Sequence, residues 1–401
     1  MVVHALSARR PATPPLERPL DLVCFALVVA YAIYIAASFA SGLWVVNFDG
    51  SRSATDFVNV WAAGRLVLEG HPASVYDWPV HKAMEVAALG HPFEGYFGWH
   101  YPPAFLFVAA GLALLPYGVA AVIWTFGTFP LYLAAVRAII GERSGWMLAA
   151  AFPAVLCNAV IGQNGFWSAA LFGGALAQLQ RRPIVAGVLF GLLTYKPHLG
   201  LLVPIALAAG GYWRAFFFAA VTAVVMALTA WLAFGTDTWI GFVGNIGHTS
   251  DAFLVNGWAD FGKLQTALGL VRALGGTENA AWVAQGAVFV AAAAAVGWVW
   301  RSKTDYELKA AALGIGALLA TPYLYTYDLM VLAIPFAFLW RHARTHGLLP
   351  YELAGIGIVY ALILAFPVID KPVGFVALLL TAALTARRLR GSGQFDIALQ
   401  Q

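Results

Sequence analysis

Long apolar segments recur along nearly the whole chain, and they limit the possible fold more than any other feature. Thirteen segments follow this pattern, near residues 20–46, 102–116, 118–140, 145–161, 166–180, 183–195, 198–211, 215–234, 280–300, 308–322, 328–341, 351–368 and 373–387. Hydrophobic residues make up 61% of the sequence, which is more than a soluble domain needs. A β-barrel would show short alternating strands instead. The sequence therefore predicts an all-α polytopic membrane protein.

The distribution of basic residues predicts the topology. Arginines before the first segment and after the last one favour cytoplasmic ends, because positive charge collects on that side. Three apolar segments separate two loops expected outside, where an even number of crossings is required, so one of the three does not cross. We predict about 12 transmembrane helices in a single domain over residues 20–390. Residues 1–19 and 391–401 are the predicted cytoplasmic tails.

Two long polar stretches, residues 47–101 and 235–279, are predicted as loops on the extracytoplasmic side. The first contains a predicted helix from Val60 to Glu69, with Gly70 as its stop signal. A second short helix is predicted from Val80 to Leu89. We expect both to be interfacial helices that lie on the bilayer.

Composition and motifs exclude several classes of protein. The net charge of +4 sits at segment ends and indicates topology, not nucleic-acid binding. Cys24 and Cys157 lie inside apolar segments, which favours packed thiols over a disulfide framework. His100 and His198 lack the spacing and partners of metal ligands. The chain has no phosphate-binding loop or dinucleotide fingerprint, so no cofactor is expected.

Asp56 follows the first apolar segment closely in a chain with only 10% charged residues. A carboxylate at the membrane boundary is costly unless it is hydrated, paired or used. An aspartate beside a sugar acceptor can take the proton from its hydroxyl group. We therefore predict Asp56 as the catalytic base of a membrane-embedded glycosyltransferase. The alternative is that Asp56 caps the helix that begins near Phe57, although Thr55 could be the cap instead.

Other polar and aromatic residues are expected on the same outer face. A sugar attached to a lipid phosphate needs a cation near the phosphate and polar groups near the sugar. The candidate substrate-binding residues are Lys196, Arg65, His100, Tyr101, Gln163, Asn164, His198, Tyr327 and Asp328. Simpler roles are open as well: Lys196 could extend to the headgroups from a span end, Arg65 could anchor an interfacial helix, and Asp328 could cap the next span.

Four stretches resemble, in order and spacing, proteins of glycosyltransferase family 87, which are polyprenyl-phosphate-mannose-dependent mannosyltransferases and relatives within the GT-C superfamily. They are Asp56–Gly70 with Pro72 and Tyr76-Asp77, Tyr101-Pro-Pro103 with Leu114-Leu-Pro116, Gly162–Asn164 with Ala186-Gly187 and Lys196-Pro197, and Thr321-Pro322 with Tyr327-Asp328. The resemblance implies a GT-C fold with Asp56 as general base. It also implies a lipid-phosphate sugar as donor and no essential metal.

Together these observations predict an inverting enzyme of the cell membrane whose site faces the extracytoplasmic side. It would move a sugar, mannose by the resemblance, from a polyprenyl-phosphate donor to a lipid or glycan acceptor. The alternative is a secondary transporter with Asp56 as the ion- or proton-coupling residue. Such transporters often have matched halves with broken helices. We see no such symmetry, and two long loops on one side favour an enzyme. A membrane scaffold without chemistry is a third possibility, which the clustered polar residues disfavour.

Overall fold

The computed structural model describes residues 17–141, 144–369 and 371–398, and its regular structure is almost entirely helical, as predicted. Most of the predicted N-terminal tail, residues 1–16, and the last residues, 399–401, lie outside the described part. The α-helices are α1 Glu17–Ala40, α2 Phe57–Leu68, α3 Trp78–Leu89, α4 Leu106–Ala113, α5 Tyr117–Gly127, α6 Phe129–Ile140, α7 Ser144–Ala150, α8 Ala154–Ile161, α9 Gly165–Gln178, α10 Pro183–Leu192, α11 Val203–Ala209, α12 Trp213–Thr249, α13 Ala267–Ala273, α14 Glu278–Arg301, α15 Tyr306–Ala320, α16 Ala333–His346, α17 Glu352–Ile369 and α18 Val373–Ala398.

Shorter elements connect these helices. Six 3₁₀ helices of the described chain lie at Pro72–Tyr76, Pro103–Phe105, Leu193–Tyr195, Pro197–Gly200, Phe261–Lys263 and Thr326–Leu332, and a π-helix lies at Ser250–Val255. The strands β1 Leu43–Trp44 and β2 Val46–Asn47 form a small antiparallel hairpin directly after α1. The first predicted span therefore ends at Ala40 and not at Val46. The chain turns at Val45, and Trp44 Nε1 donates a hydrogen bond to the Val160 carbonyl at 3.0 Å.

Five helical stretches in the described part of the chain are long and apolar enough to cross a membrane. They are Pro19–Ala40, Tyr117–Ile140, Trp213–Val255, Glu278–Arg301 and Glu352–Ile369. Several of the other apolar segments are broken into short helices. Pro153 separates α7 from α8, for example, and Lys196 separates two 3₁₀ helices. The chain is thus a helical membrane protein with many interrupted segments.

The predicted helices of the first long loop are present as α2 and α3. Asp77 caps α3, because its side chain accepts a hydrogen bond from the Val80 backbone N–H. The surroundings of α2 differ from the expected bilayer surface. Its residues Phe57, Val58, Val60 and Leu66 are buried, and the helix packs against α4. Protein, and not only lipid, therefore surrounds α2.

The stretch 235–279 was expected to be a loop, but much of it is helical. Helix α12 continues to Thr249 after a kink at Gly235, whose φ of +80° is a conformation that favours glycine. Asn245 of this second half is buried: its Nδ2 donates to the Trp99 carbonyl, and its Oδ1 accepts from Trp78 Nε1. Other polar residues, such as Asp237 and His248, are exposed. Sequence patterns do not distinguish such a helix from a loop.

Candidate active site

Asp56 lies immediately before α2, and its carboxylate takes no part in capping that helix. Its backbone N–H donates to the Ile161 carbonyl at 3.0 Å, which ties the residue to the end of α8. The side chain makes no capping hydrogen bond. It accepts instead from Gln163 Nε2 at 2.8 Å. The capping interpretation therefore does not account for this carboxylate, which points to the turn between α8 and α9.

Asp56, Tyr101, Gln163 and Asn164 form one hydrogen-bonded network. Tyr101 Oη donates to Gln163 Oε1 at 3.2 Å and accepts from Asn164 Nδ2 at 2.8 Å. The Asn164 backbone N–H donates to the same Gln163 oxygen at 3.2 Å. These bonds fix the orientation of the Gln163 amide, so its NH₂ group is directed at Asp56. The structure thus brings together four residues predicted from separate stretches.

Burial raises the pKa of Asp56 to about 6. The Gln163 hydrogen bond and the charges of Lys196 and Lys263 act in the opposite direction, because they stabilise the ionised form. The residue is still partly accessible. A carboxylate with a pKa near 6 is mostly ionised at neutral pH and is a stronger base than an ordinary aspartate.

Lys196 and Asp328 form a buried ion pair. Lys196 Nζ lies 2.6 Å from Asp328 Oδ1, and both side chains are almost fully enclosed. The other oxygen of Asp328 accepts from the Tyr325 backbone N–H at 3.2 Å, so it caps the 3₁₀ helix Thr326–Leu332, as one interpretation predicted. Lys196 Nζ also lies 4.9 Å from the ring centre of Tyr327. The ammonium group of Lys196 therefore already has a carboxylate and an aromatic ring as partners.

The backbone at the start of α9 lies very close to the backbone of the 323–328 segment, and this contact brings the two groups of site residues together. The first residue of α9 is Gly165, and a Cβ atom there would lie 2.5 Å from the Tyr327 carbonyl oxygen. Only glycine fits without a shift of the 323–328 segment. This contact places the turn with Gln163 and Asn164 directly beside the segment that carries Tyr327 and Asp328.

Two histidines and Tyr323 form an aromatic group on the adjoining segments. The rings of His100 and His198 lie 6.0 and 6.2 Å from the ring of Tyr323, both at steep angles. His100 Nδ1 lies 2.9 Å from Thr249 Oγ1. Burial lowers the pKa of His100 to about 4, so this ring is neutral at physiological pH. A neutral imidazole next to a hydroxyl group suits the recognition of sugar hydroxyls.

Arg65 is the predicted substrate-binding residue that the structure does not bring to this network. It lies in the last turn of α2, about 13 Å along the helix from Asp56 at 1.5 Å per residue. Its guanidinium group pairs with Glu69 at 3.0 Å and lies over the ring of Trp61. These contacts are those of an exposed helix end.

Several buried polar atoms on the site segments make no hydrogen bond with any described residue. They are Asn59 Oδ1, Asn164 Oδ1, His198 Nε2, Tyr325 Oη and Thr326 Oγ1. Buried polar groups are normally paired, so a cluster of unpaired ones requires an explanation. A ligand rich in hydroxyl groups would satisfy both donors and acceptors of this kind.

One group of residues within the described ranges has the geometry of a metal site, and it lies elsewhere. Ligand atoms of Asp305, His342 and His346 are within 4.8 Å of one another. Asp305 precedes α15, so about 22 Å of helix separates it from the 323–328 segment. Arg388 Nη1 donates to His342 Nδ1 at 2.9 Å, so the neutral ring carries its proton on Nε2, the atom facing Asp305. This arrangement is a hydrogen-bonded cluster and does not present a free ligand atom on His342.

Sequence patterns did not identify Lys263, Thr249 or Asn245 as parts of this region. One signal was available for Lys263, since it is the single lysine within residues 235–279. Basic residues are uncommon in extracytoplasmic loops, so a lysine there is a candidate for binding an anion. The contacts of Asn245 and Thr249 join segments almost 150 positions apart, and no local pattern indicates them.

Comparison with known proteins gives one match. The model of the family described as Glycosyltransferase family 87 matches residues 99–322, which is more than half of the chain. No curated protein and no solved structure matches. The matched range contains Tyr101, Gln163, Asn164 and Lys196, and it ends just before Tyr323.

Proposed function

The chain belongs to glycosyltransferase family 87, and from that premise we propose that it transfers a sugar from a polyprenyl-phosphate donor to a hydroxyl group of a lipid or glycan acceptor. Membership of the family makes it a membrane glycosyltransferase. The proposal adds the donor class, mannose as the sugar, inversion at the anomeric carbon and Asp56 as the base. It includes no metal ion and no cofactor.

The environment of Asp56 is the observation that supports this proposal most strongly. The carboxylate has one amide donor, Gln163, and no basic side chain within ion-pair distance in the described parts of the chain. Its pKa of about 6 suits proton abstraction near neutral pH. This carboxylate keeps capacity to accept a further hydrogen bond, such as that of an acceptor hydroxyl.

The reaction follows from these groups. The acceptor hydroxyl donates its hydrogen bond to the Asp56 carboxylate, and the proton moves to Asp56 as the acceptor oxygen attacks the anomeric carbon. The new carbon–oxygen bond forms on the face opposite the phosphate. The bond to the phosphate oxygen breaks, and polyprenyl phosphate leaves with the bonding electrons. Gln163 holds the carboxylate in place, because Tyr101 and Asn164 fix its amide.

Recognition of the sugar would use the neutral groups around Asp56. His100 and His198 supply imidazoles, and Tyr325 supplies a phenol that is 5.1 Å from Tyr323 between ring centres. The rings of Tyr325 and Tyr327 are stacked and could support an apolar sugar face. The unpaired polar atoms of this region would take the sugar hydroxyls.

On the basis of the basic-residue distribution, we place the site on the extracytoplasmic face of the cell membrane and expect about 12 crossings. The GT-C fold is part of the proposal because the family resemblance implies it. Labelling in intact cells tests this orientation. In a variant without Cys24 and Cys157, a cysteine at the exposed Asn256 should react with a membrane-impermeant thiol reagent. A cysteine at Lys303 should react only after the membrane is opened. The reverse pattern would overturn the orientation.

Transfer from a panel of radiolabelled polyprenyl-phosphate sugars tests the activity, with the protein in lipid nanodiscs. Asp56→Asn should lower turnover about 100- to 10,000-fold, the usual cost of losing a general base. Asp49→Asn is the matched control, since Asp49 is an exposed residue of the same loop that bonds only to Ser51. Near-normal turnover by Asp56→Asn would remove Asp56 from the mechanism. Absence of transfer from every donor by the unmodified protein would refute the proposed donor class.

A further inference from the structure

The leaving group of the proposed reaction is a phosphate, and the site must hold its negative charge. Lys196 was the predicted cation, but its charge is matched by Asp328 at 2.6 Å inside the protein. The pair is neutral as a unit. Arg65 is paired with Glu69 at the far end of α2. Neither residue offers the site an uncompensated positive charge.

Lys263 differs from both. Its side chain is exposed, and it forms no ion pair with any residue that the structure describes. Its charge nevertheless acts on the Asp56 carboxylate, where it favours the ionised form. Lys263 is therefore a cation that favours the ionised base and has no carboxylate partner within ion-pair distance in the described parts of the chain.

The backbone that carries Lys263 is firmly held. Asp260 accepts from the Gly262 N–H at 2.8 Å and so caps the 3₁₀ helix Phe261–Lys263. The side chain of Gln265 donates to the carbonyls of Gly262 and Lys263 at 3.0 and 3.1 Å. It also accepts from the Gly374 N–H at 2.7 Å. Such bonds fix the position from which the lysine side chain extends.

The same segment is attached to the site. The Gln265 backbone N–H donates to the Leu324 carbonyl at 2.8 Å. Leu264, next to Lys263, belongs to a small apolar cluster against which Tyr323 and Tyr325 pack. Lys263 thus extends from a rigid turn that abuts the 323–328 segment.

We propose that Lys263 binds the phosphate of the lipid-linked donor and remains bound to it as the phosphate leaves. The inference rests on the proposed function and names the residue that recognises the charged part of the donor. As the bond between the anomeric carbon and the phosphate oxygen breaks, that oxygen gains negative charge. The ammonium group of Lys263 donates hydrogen bonds to the phosphate oxygens and so stabilises the developing charge.

Binding of undecaprenyl phosphate, compared with uncharged undecaprenol, tests this role without depending on turnover. Both lipids are titrated into nanodiscs that hold the full-length protein. The unmodified protein should prefer the phosphate, and Lys263→Gln should weaken phosphate binding about tenfold while undecaprenol binding stays the same. Lys263→Arg should recover part of the preference, because its charge is kept and its geometry changes. Lys303→Gln is the matched control, since Lys303 is an exposed lysine after α14.

Kinetics supply the second measurement. Lys263→Gln should raise the KM for the donor and the inhibition constant of undecaprenyl phosphate about tenfold, and leave the KM for the acceptor within twofold. A Lys263→Gln protein with the original preference for phosphate would overturn the inference. If transfer by the unmodified protein is normal in that case, the proposed function survives. A protein that transfers from no lipid-phosphate sugar would instead refute the function, whatever the binding result.

Discussion

Two carboxylates in separate regions of the molecule, Glu352 and Asp56, are paired to very different degrees. In the region that contains Asp305, Arg388 forms two hydrogen bonds to Glu352, at 2.5 and 2.6 Å, and further ones to His342 and the Gly347 carbonyl. Nearby, Arg341 pairs with Glu307 at 3.0 Å. In the candidate site, Asp56 has one neutral donor, and several polar atoms on the same segments have no partner within the described residues.

This difference in pairing distinguishes the Arg388–Glu352 pair, which stabilises the fold, from Asp56, which we propose takes part in the reaction. A buried ion pair is tolerated when each group is satisfied, and removal of one partner leaves an uncompensated charge. The Arg388–Glu352 pair satisfies this condition and joins the loop after α16 and the start of α17 to α18. Asp56 does not satisfy it, and its pKa is correspondingly raised. Incomplete pairing costs stability, which supports the proposal that a ligand completes the site.

The largest effect on stability should come from loss of the Arg388–Glu352 ion pair. Arg388→Met leaves Glu352 buried without its partner, and we expect a loss of about 3–5 kcal/mol in the free energy of unfolding. The molecules that remain folded should keep their turnover number, because Asp56 and Gln163 are unaffected. Thermal unfolding followed by tryptophan fluorescence, together with transfer assays on the same samples, measures both quantities.

The neighbouring Arg387 provides the control for this experiment. Its side chain is exposed and donates only to the Pro350 carbonyl. Arg387→Met should cost under about 1 kcal/mol, as exposed polar contacts usually do. Equal destabilisation by both variants would show that the Arg388 network has no special structural role, and the contrast between the two carboxylates would then fail.

The sequence predicted the fold class and much of the secondary structure for physical reasons. Apolar segments in a chain of this hydropathy have few alternatives to membrane helices, because backbone groups in lipid must be bonded internally. The short helices α2 and α3 were also predicted, the first of them with Gly70 as its stop signal. The second half of α12 was missed, because its polar residues resemble those of a loop, although one of them, Asn245, is buried and bonds to protein.

The sequence predicted which residues belong to the candidate site, but it did not predict which of them are hydrogen-bonded or ion-paired to one another. Asp56 was singled out by the cost of a carboxylate at the membrane boundary. Its partner Gln163 lies 107 positions away, and the partner of Lys196 lies 132 positions away. Local sequence patterns do not predict contacts between residues so far apart in the sequence. The Lys196–Asp328 pair is the clearest example, since each residue was expected to serve a different purpose.

The last prediction concerns Gln163, the single hydrogen-bond donor to Asp56. The kcat/KM for transfer should rise with pH through about 6, because Asp56 must be ionised to accept the proton. Gln163 stabilises the ionised carboxylate, so Gln163→Met should raise the pKa of Asp56 further and move the profile to higher pH. A hydrogen bond to a charged group contributes about 1.5–3 kcal/mol, which corresponds to about 1–2 pH units.

The loss caused by Gln163→Met should therefore be larger at pH 6 than at about pH 9, where Asp56 is mostly ionised in both proteins. A packing defect would lower the rate equally at all pH values and leave the midpoint unchanged. Gln178→Met, at the opposite end of α9, controls for the substitution itself and should keep the midpoint near 6. If Gln163→Met also keeps that midpoint, the Gln163 amide does not set the basicity of Asp56. The raised pKa of Asp56 would then be due to burial alone, since burial is its main cause and would remain in the variant.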